Sequence, residues 1–273
     1  MRQGIPELRA FYASALGRAA REMVARKVAE AWGGCAGLDV LALGYATPFI
    51  GDIGGEPGRA IAVMPAAQGV ETWPAQGRNR ACLADEMALP LPNAMFDRIL
   101  AVHALEESDS PLGLLGEAAR VLAPAGRMIL VVAARHGPWA HGEGSPFGHG
   151  RPYSRGQLEA LVREAGLEPL GWTRALYAPP LGWAARWAGA FEQAGALVWP
   201  PFAGLVLMEA AKQTFAIRPK GRTARAAARG IFQPVPAANA PSSWPAPGNA
   251  PTLACASRGK DAIDEDAHRH HQA

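Results

Sequence analysis

One short apolar run most constrains how this chain of 273 residues can fold. Residues 40–43 are apolar, and the run ends abruptly at Gly44, after which small residues and a proline follow. This pattern is typical of a buried parallel strand that turns into a loop. Ligands of open α/β sheets bind beyond such carboxyl ends. The loop that begins at Gly44 is therefore the first candidate for a binding site.

Other short apolar runs alternate with segments of helical periodicity. We predict strands at 38–43, 59–64, 81–84, 96–103, 127–133, 170–177 and 204–215, helices at 6–32, 111–122, 154–165 and 181–198, and a short helix near Phe49. Ser154 is a good helix N-cap and Gly166 a good stop. Such alternation indicates βαβ units. We therefore expect an α/β fold with a Rossmann-like, doubly wound, mostly parallel sheet of seven strands.

Composition divides the chain into three parts. Residues 1–36 form an N-terminal helical segment, residues 37–217 the α/β domain, and residues 218–273 a tail. The tail opens with a basic run at 218–230 and continues rich in Pro and Ala. We expect the tail to be disordered, because it has too few large apolar residues to offset its ordering entropy. The basic run lacks interleaved aromatics, which makes nucleic-acid binding the less favoured alternative.

Composition also argues against several classes of protein. The formal net charge of +3 implies no strongly anionic partner for the whole chain. Three cysteines lie far apart without metal-binding spacing, so we expect neither a disulfide framework nor a metal site. Apolar stretches stay shorter than the roughly 20 residues of a membrane span, and charges interrupt the start of the chain. We therefore expect a cytoplasmic protein without a membrane span.

Four stretches carry a family resemblance. They are Val-Leu-Ala-Leu-Gly-Tyr-Ala-Thr-Pro at 40–48, Leu-Ala-Asp-Glu-Met-Ala-Leu-Pro-Leu-Pro at 83–92 followed by Phe96-Asp97, His-Ala-Leu-Glu at 103–106, and Glu-x-x-Arg-Val-Leu-x-Pro-x-Gly-Arg at 117–127. Together they resemble the class I S-adenosylmethionine-dependent methyltransferases of the type-11 kind, over about residues 37–215. The resemblance implies an S-adenosylmethionine cofactor and direct transfer of its methyl group to an acceptor that the sequence does not identify.

The resemblance also assigns roles to residues at the strand ends. The cofactor candidates are Gly44, Tyr45, Ala46, Thr47, Met64, Asp85, Glu86 and Met87. Gly44 would let the backbone approach the methionine part of the cofactor, and Asp85 would accept the adenine amine. The simpler alternatives are a turn glycine and a solvated acidic turn. His103 is the catalytic candidate because histidine titrates near neutral pH, with a neutral histidine bonded to backbone as the alternative.

Two further segments stand out. The long loop after the fifth strand contains His149, Arg151 and Tyr153, which we predict to bind the substrate; the alternative is a loop pinned by its own aromatics. A later segment contains Trp183, Trp187, Phe191, Trp199 and Phe202. Aromatics at helical spacing are usually core residues, so we expect these in the core, with a membrane face or an apolar channel as the alternative.

The chain departs from the family pattern at the cofactor site. Ala42 stands where the first strand usually carries an acid, Ala46 and Pro48 replace two glycines, and Met64 marks a second strand that ends without an acid. Two hypotheses follow. The favoured one is a methyltransferase, and the other is a binding or regulatory protein on the same fold with a decayed cofactor site. A dehydrogenase is a distant third, since the first loop lacks GxGxxG.

Overall fold

The computed structural model describes residues 3–142, 144–198, 202–212 and 232–235. The strands are Asp39–Gly44 (β1), Arg59–Pro65 (β2), Ala81–Ala84 (β3), Phe96–Val102 (β4), Leu122–Ala133 (β5), Leu167–Ala175 (β6), Leu205–Lys212 (β7) and Gln233–Pro234 (β8). The α-helices are Ile5–Ala13 (α1), Ala15–Trp32 (α2), Pro111–Val121 (α3), Arg155–Glu164 (α4) and Ala188–Val198 (α5). Short 3-10 helices span Thr47–Asp52, Pro138–His141, Pro146–Gly148 and Gly182–Trp187.

The strands form one sheet in the order β3-β2-β1-β4-β5-β7-β6-β8. From β3 to β5 all neighbours are parallel, and β7 runs antiparallel to both β5 and β6. This arrangement confirms the Rossmann-like, doubly wound fold. The carboxyl ends of β1 and β4 are adjacent at the centre of the sheet, where the strand order reverses, so their loops border the crevice in which such folds bind ligands.

Helices cover both faces of the sheet. Val40 and Ala42 of β1 point into a core that also contains residues of α1 and α2. Leu41 and Leu43 point into the opposite core, which includes residues of α3 and α4. Successive strand residues alternate between faces, so a strand covered on both sides reads as a continuous apolar run. None of the helices in the described ranges is long and apolar enough to cross a membrane.

The N-terminal segment contains two helices, where the sequence predicts one across 6–32. Ser14 is extended, with φ −71° and ψ 162°, and its Oγ accepts a hydrogen bond from the amide of Gly17. A Cβ on Gly17 would overlap the carbonyl of Phe11, so the glycine permits a tight start of α2 against α1. The serine cap ends one helix and begins the next. As a result, α1 changes direction and lies across the strand ends.

The eighth strand corrects the expected extent of the disordered tail. β8 pairs antiparallel with β6 at Gly171 and Trp172, and Phe232 and Val235 on either side of it are buried. Phe232 packs in the core that contains α2, and Val235 packs in the opposite core. These two apolar side chains anchor the short strand. The rest of the predicted tail lies outside the described residues.

Residues 181–198 correct a second expectation. The segment begins as a 3-10 helix before α5, and Trp183 and Trp187 are 60% and 58% exposed rather than in the core. Phe202 is also exposed, Phe191 is half-buried against Trp183, and Trp199 lies outside the described residues. The small residues Ala184 and Ala188 occupy the buried side instead. Helical spacing indicates a common face, but not whether that face is covered.

Candidate functional site

Helix α1 lies across the carboxyl ends of β1 and β4. Oη of Tyr12 shares a 2.8 Å hydrogen bond with Nε2 of His103, which directly follows β4. Arg9 donates from Nε and Nη2 to Glu71 Oε2 at 3.0 and 2.8 Å. The amide of Ile5 donates to the carbonyl of Gln68 at 3.2 Å. The helix is thus attached to the loop after β2 and to the loop after β4.

Aromatic rings fill the space beneath α1. We define the aromatic cluster as Phe11, Tyr12, Tyr45, Phe49, His103, Trp139 and Phe147. Tyr12 contacts Phe49 edge to face at 5.4 Å between ring centroids, and Phe147 lies 4.5 Å from the ring of His103. Such pairs stabilise by about 0.5–1.5 kcal/mol beyond their burial. The cluster joins α1, the loop after β1 and the loop after β5 into one packed unit.

Gly44 is constrained by the neighbouring strand. Its φ is +73°, and a Cβ there would overlap the carbonyl oxygen of Val102 and lie 3.0 Å from Cβ of Ala104. The amide of Tyr45 then donates to the same carbonyl at 2.8 Å. This geometry matches the turn-glycine alternative: the missing side chain lets β1 approach the end of β4. The predicted contact with a cofactor stays a prediction.

The rest of the loop after β1 is enclosed. Tyr45, Ala46 and Thr47 are at most 4% exposed, and Oγ1 of Thr47 donates to Oε1 of Glu71 at 3.3 Å. Burial and the nearby carboxylate of Glu71 raise the pKa of Tyr45, which keeps the phenol protonated. The loop's hydrogen-bonding groups are therefore engaged within the protein.

His103 has an unusual backbone and an apolar environment. Its φ is +51°, in the left-handed region that side-chain-bearing residues rarely adopt, and its carbonyl accepts from Nε2 of Gln68 at 3.3 Å. Burial lowers the pKa of its imidazole to about 3, so the ring is neutral at physiological pH. Tyr12 is protonated as well, since burial raises its pKa well above the ordinary value. The structure thus shows a neutral histidine bonded to a side chain rather than to backbone, and its catalytic role stays a prediction.

The predicted adenine contacts lie apart from the cluster. Asp85 is exposed, and its Oδ1 accepts from the amide of Met87 at 2.9 Å, which closes a turn after β3. Glu86 accepts from Oγ of Ser108 at 2.5 Å. Met87 is 48% exposed, whereas Met64 is fully buried in the core within β2. Asp85 thus lies in an exposed turn and Met64 packs in the core, and their predicted contacts with a cofactor stay predictions.

The loop after β5 returns to the end of β4. The amide of Arg151 donates to the carbonyl of Glu106 at 2.6 Å, and a Cβ on Gly150 would overlap that carbonyl. The amide of Tyr153 donates to Ala133, and burial raises the pKa of its phenol. The loop is therefore pinned largely by backbone contacts and its own aromatics. His149 alone of the predicted substrate residues borders the opening that remains.

That opening is shallow, encloses no space for a ligand, and is lined by Gln3, Leu8, His103, Glu106, Glu107, Pro146 and His149. Sites for ligands of nucleoside size and larger usually enclose about 300–1,000 Å³. As packed here, the strand ends do not fit S-adenosylmethionine, because α1 and the aromatic cluster occupy the crevice. Sequence patterns point to the strand ends but miss Tyr12, Arg9 and Gln68, whose partners are remote in the chain.

Comparisons with known proteins agree with this fold. Residues 50–170 match a protein family described as a methyltransferase domain. The chain is 38% identical over 93 residues to 27-O-demethylrifamycin SV methyltransferase of Amycolatopsis mediterranei. That match covers 32% of this chain and 34% of the relative, so the chain spans about a third of the relative's length.

Solved structures share the fold at low identity. A SAM-dependent methyltransferase of Thermotoga maritima superposes with a TM-score of 0.52 at 18% identity, over 77% of this chain and 96% of that one. A SAM-dependent methyltransferase of Archaeoglobus fulgidus gives a TM-score of 0.52 at 15% identity, over 74% and 96%. These likenesses establish the architecture of the sheet.

Proposed function

We propose that this protein, whose residues 50–170 match a methyltransferase-domain family, is an S-adenosylmethionine-dependent methyltransferase whose helix α1 must leave the strand ends before the cofactor binds. The family match of residues 50–170 supports the activity, and the position of α1 carries the requirement for opening. This helix covers the crevice where this fold binds ligands, and Ser14 separates it from α2. The helix is joined to the sheet by few polar contacts, of which Arg9 to Glu71 is at the surface.

An exposed ion pair and buried aromatic packing together stabilise the closed position of α1. The Arg9 side chain is 65% exposed, so its ion pair with Glu71 contributes at most about 1 kcal/mol to the closed state. The buried rings of the aromatic cluster contribute most of the remaining free energy that favours the closed state. A ligand that binds only the open state has its affinity reduced by the open fraction. Weakening the closed state should therefore tighten cofactor binding.

Charge reversal provides the test. We expect Arg9→Glu to place two carboxylates together and to raise the affinity for S-adenosylmethionine and S-adenosylhomocysteine about five-fold, which corresponds to about 1 kcal/mol. The double variant Arg9→Glu/Glu71→Arg should restore the pair and much of the original affinity. Arg163→Glu, which disrupts the ion pair with Glu159 on α4, is a matched control and should leave affinity unchanged. Isothermal titration calorimetry measures all four proteins.

Two results would count against the proposal. Equal affinity in the wild type and Arg9→Glu would show that α1 does not compete with the ligand. Failure of every variant to bind either ligand at millimolar concentration would contradict the cofactor assignment itself. Asp85→Ala adds a location test, because weaker binding in this variant would support the strand-end site. Gly44 is unsuitable for that purpose, since a side chain there disrupts the approach of β1 to β4.

A second candidate is a binding or regulatory protein that uses no cofactor. Ala42 and Met64 favour it, because both stand where the family resemblance implies carboxylates and both are fully packed in the core. This function predicts that opening α1 produces no cofactor binding. The calorimetric series therefore distinguishes the two candidates.

A further inference from the structure

Exposed large apolar side chains are concentrated between residues 181 and 202. Within the described residues ten such side chains are exposed, and six of them lie between residues 181 and 202. We define these six as the exposed apolar face: Leu181, Trp183, Trp187, Leu197, Val198 and Phe202. Isolated exposed apolar residues are ordinary, but a cluster with two tryptophans marks an interaction site.

Two consecutive helical elements carry four of these residues. Trp183 and Trp187 are four positions apart within the 3-10 helix, and Leu197 and Val198 are the last residues of α5. The opposite side of the same segment is buried through Ala184 and Ala188. The segment is thus firmly attached through small residues while its largest rings face outward.

The charge exposed by residues 181–198 is positive. Arg186 is exposed between the two tryptophans and is one of two charged residues in 181–198. The other, Glu192, has a side chain only 12% exposed that pairs with Lys27 at 3.5 Å. It also accepts a hydrogen bond from the amide of Tyr177. Residues 181–198 therefore expose apolar rings and one cation, while their one carboxylate is paired with Lys27.

We infer that the exposed apolar face docks the protein on the surface of an anionic phospholipid bilayer. Tryptophan suits the boundary between hydrocarbon and water, because its ring is apolar and its indole N–H is polar. Arg186 would pair with lipid phosphates and anionic headgroups, and clusters of Trp, Leu, Phe and Arg are typical of interfacial segments. A second copy of the chain is a poorer partner, since two identical faces would offer no carboxylate to Arg186.

The face adjoins the ligand end of the sheet. The segment follows the carboxyl end of β6, and Nε1 of Trp139 in the loop after β5 donates to the carbonyl of Ala178 at 2.7 Å. Gly204, which precedes β7, packs against the same indole. A bilayer docked on the face would therefore lie beside the crevice that α1 covers. The inference does not depend on cofactor use.

Co-sedimentation with vesicles tests the inference. We expect the full chain to bind vesicles of phosphatidylcholine with phosphatidylserine more strongly than vesicles of phosphatidylcholine alone. Trp183→Ser/Trp187→Ser should weaken binding at least about ten-fold, because it removes most of the apolar area available for insertion. Arg186→Glu should cost about five-fold or more on the anionic vesicles and little on the neutral ones. Val70→Ser/Leu83→Ser, with two exposed apolar residues outside the face, is the matched control and should bind normally.

Chemical denaturation should show that all variants are as stable as the wild type, since the changed side chains are exposed. Unchanged vesicle binding in the tryptophan variant would overturn the inference. Absence of vesicle binding by the wild-type protein would also overturn it, whatever the oligomeric state. If sedimentation equilibrium then showed a dimer that the tryptophan variant converts to monomer, the face would be an interface between copies instead.

Discussion

Two glycines with the same backbone conformation provide a quantitative test of what holds β1 against β4. Gly44 and Gly37 both have φ +73°, but a Cβ on Gly37 would meet nothing within 4 Å, whereas one on Gly44 would overlap the carbonyl of Val102. Gly37→Ala should therefore lower the free energy of unfolding by about 1–2 kcal/mol, which is the cost of the left-handed conformation for alanine. Gly44→Ala should lower the free energy of unfolding by that amount and by about 1–3 kcal/mol more, because the new Cβ must displace a packed strand.

Urea denaturation of the two variants, followed by circular dichroism, measures the difference. We expect the midpoint of Gly44→Ala to fall clearly below that of Gly37→Ala, with similar slopes if both still unfold in one step. Since whole-protein stabilities are about 5–15 kcal/mol, the Gly44 variant should remain measurable. Equal losses in the two variants would refute the close approach of β1 to β4 and would leave Gly44 available for contact with a ligand.

Two further predictions concern buried ionisable groups. An unfolded histidine has a pKa near 6.5 and that of folded His103 is lowered to about 3, so the unfolded state binds an additional proton between these values. Stability should fall by about 1.4 kcal/mol per pH unit as pH drops below 6.5, and unfolding of His103→Gln at a series of pH values should lack this contribution. Glu209 is fully buried and pairs with Arg127 at 3.1 Å, with Arg98 nearby. Arg127→Met should cost about 3 kcal/mol or more in thermal or chemical denaturation, and Arg127→Met/Glu209→Leu should recover most of it; a double variant as unstable as the single one would contradict this explanation.

Local patterns predict the sheet well because they have local causes. β3 is found at the predicted residues, β2 and β4 each differ by one residue at one end, and β1 is shifted by one residue. The cap at Ser154 forms as predicted. Its Oγ accepts a hydrogen bond from the amide of Gln157, and Oε1 of Gln157 accepts one from the amide of Ser154. Apolar runs, capping side chains and stop glycines act within a few residues. Their signals are therefore visible in the sequence.

The contents of the crevice depend on contacts between remote residues. Tyr12 and His103 are 91 positions apart, and neither residue's neighbours indicate that they meet. Likewise, the spacing of Trp183 and Trp187 indicates a shared helix face, but Ala184 and Ala188 occupy the side that is buried. Periodicity specifies a face of a helix. It does not specify the partner of that face.

The missing acids and the covering helix have one physical explanation. Ala42 and Met64 lie in the core beneath the N-terminal helices, together with Tyr12 and Phe49. A carboxylate at either position would be buried there without a partner, at a cost of several kcal/mol. Apolar residues at these two positions therefore allow α1 to close over β1, with Tyr12 as its central contact. An acid introduced at Ala42 should favour the open position of α1, whereas the natural residue favours the closed one.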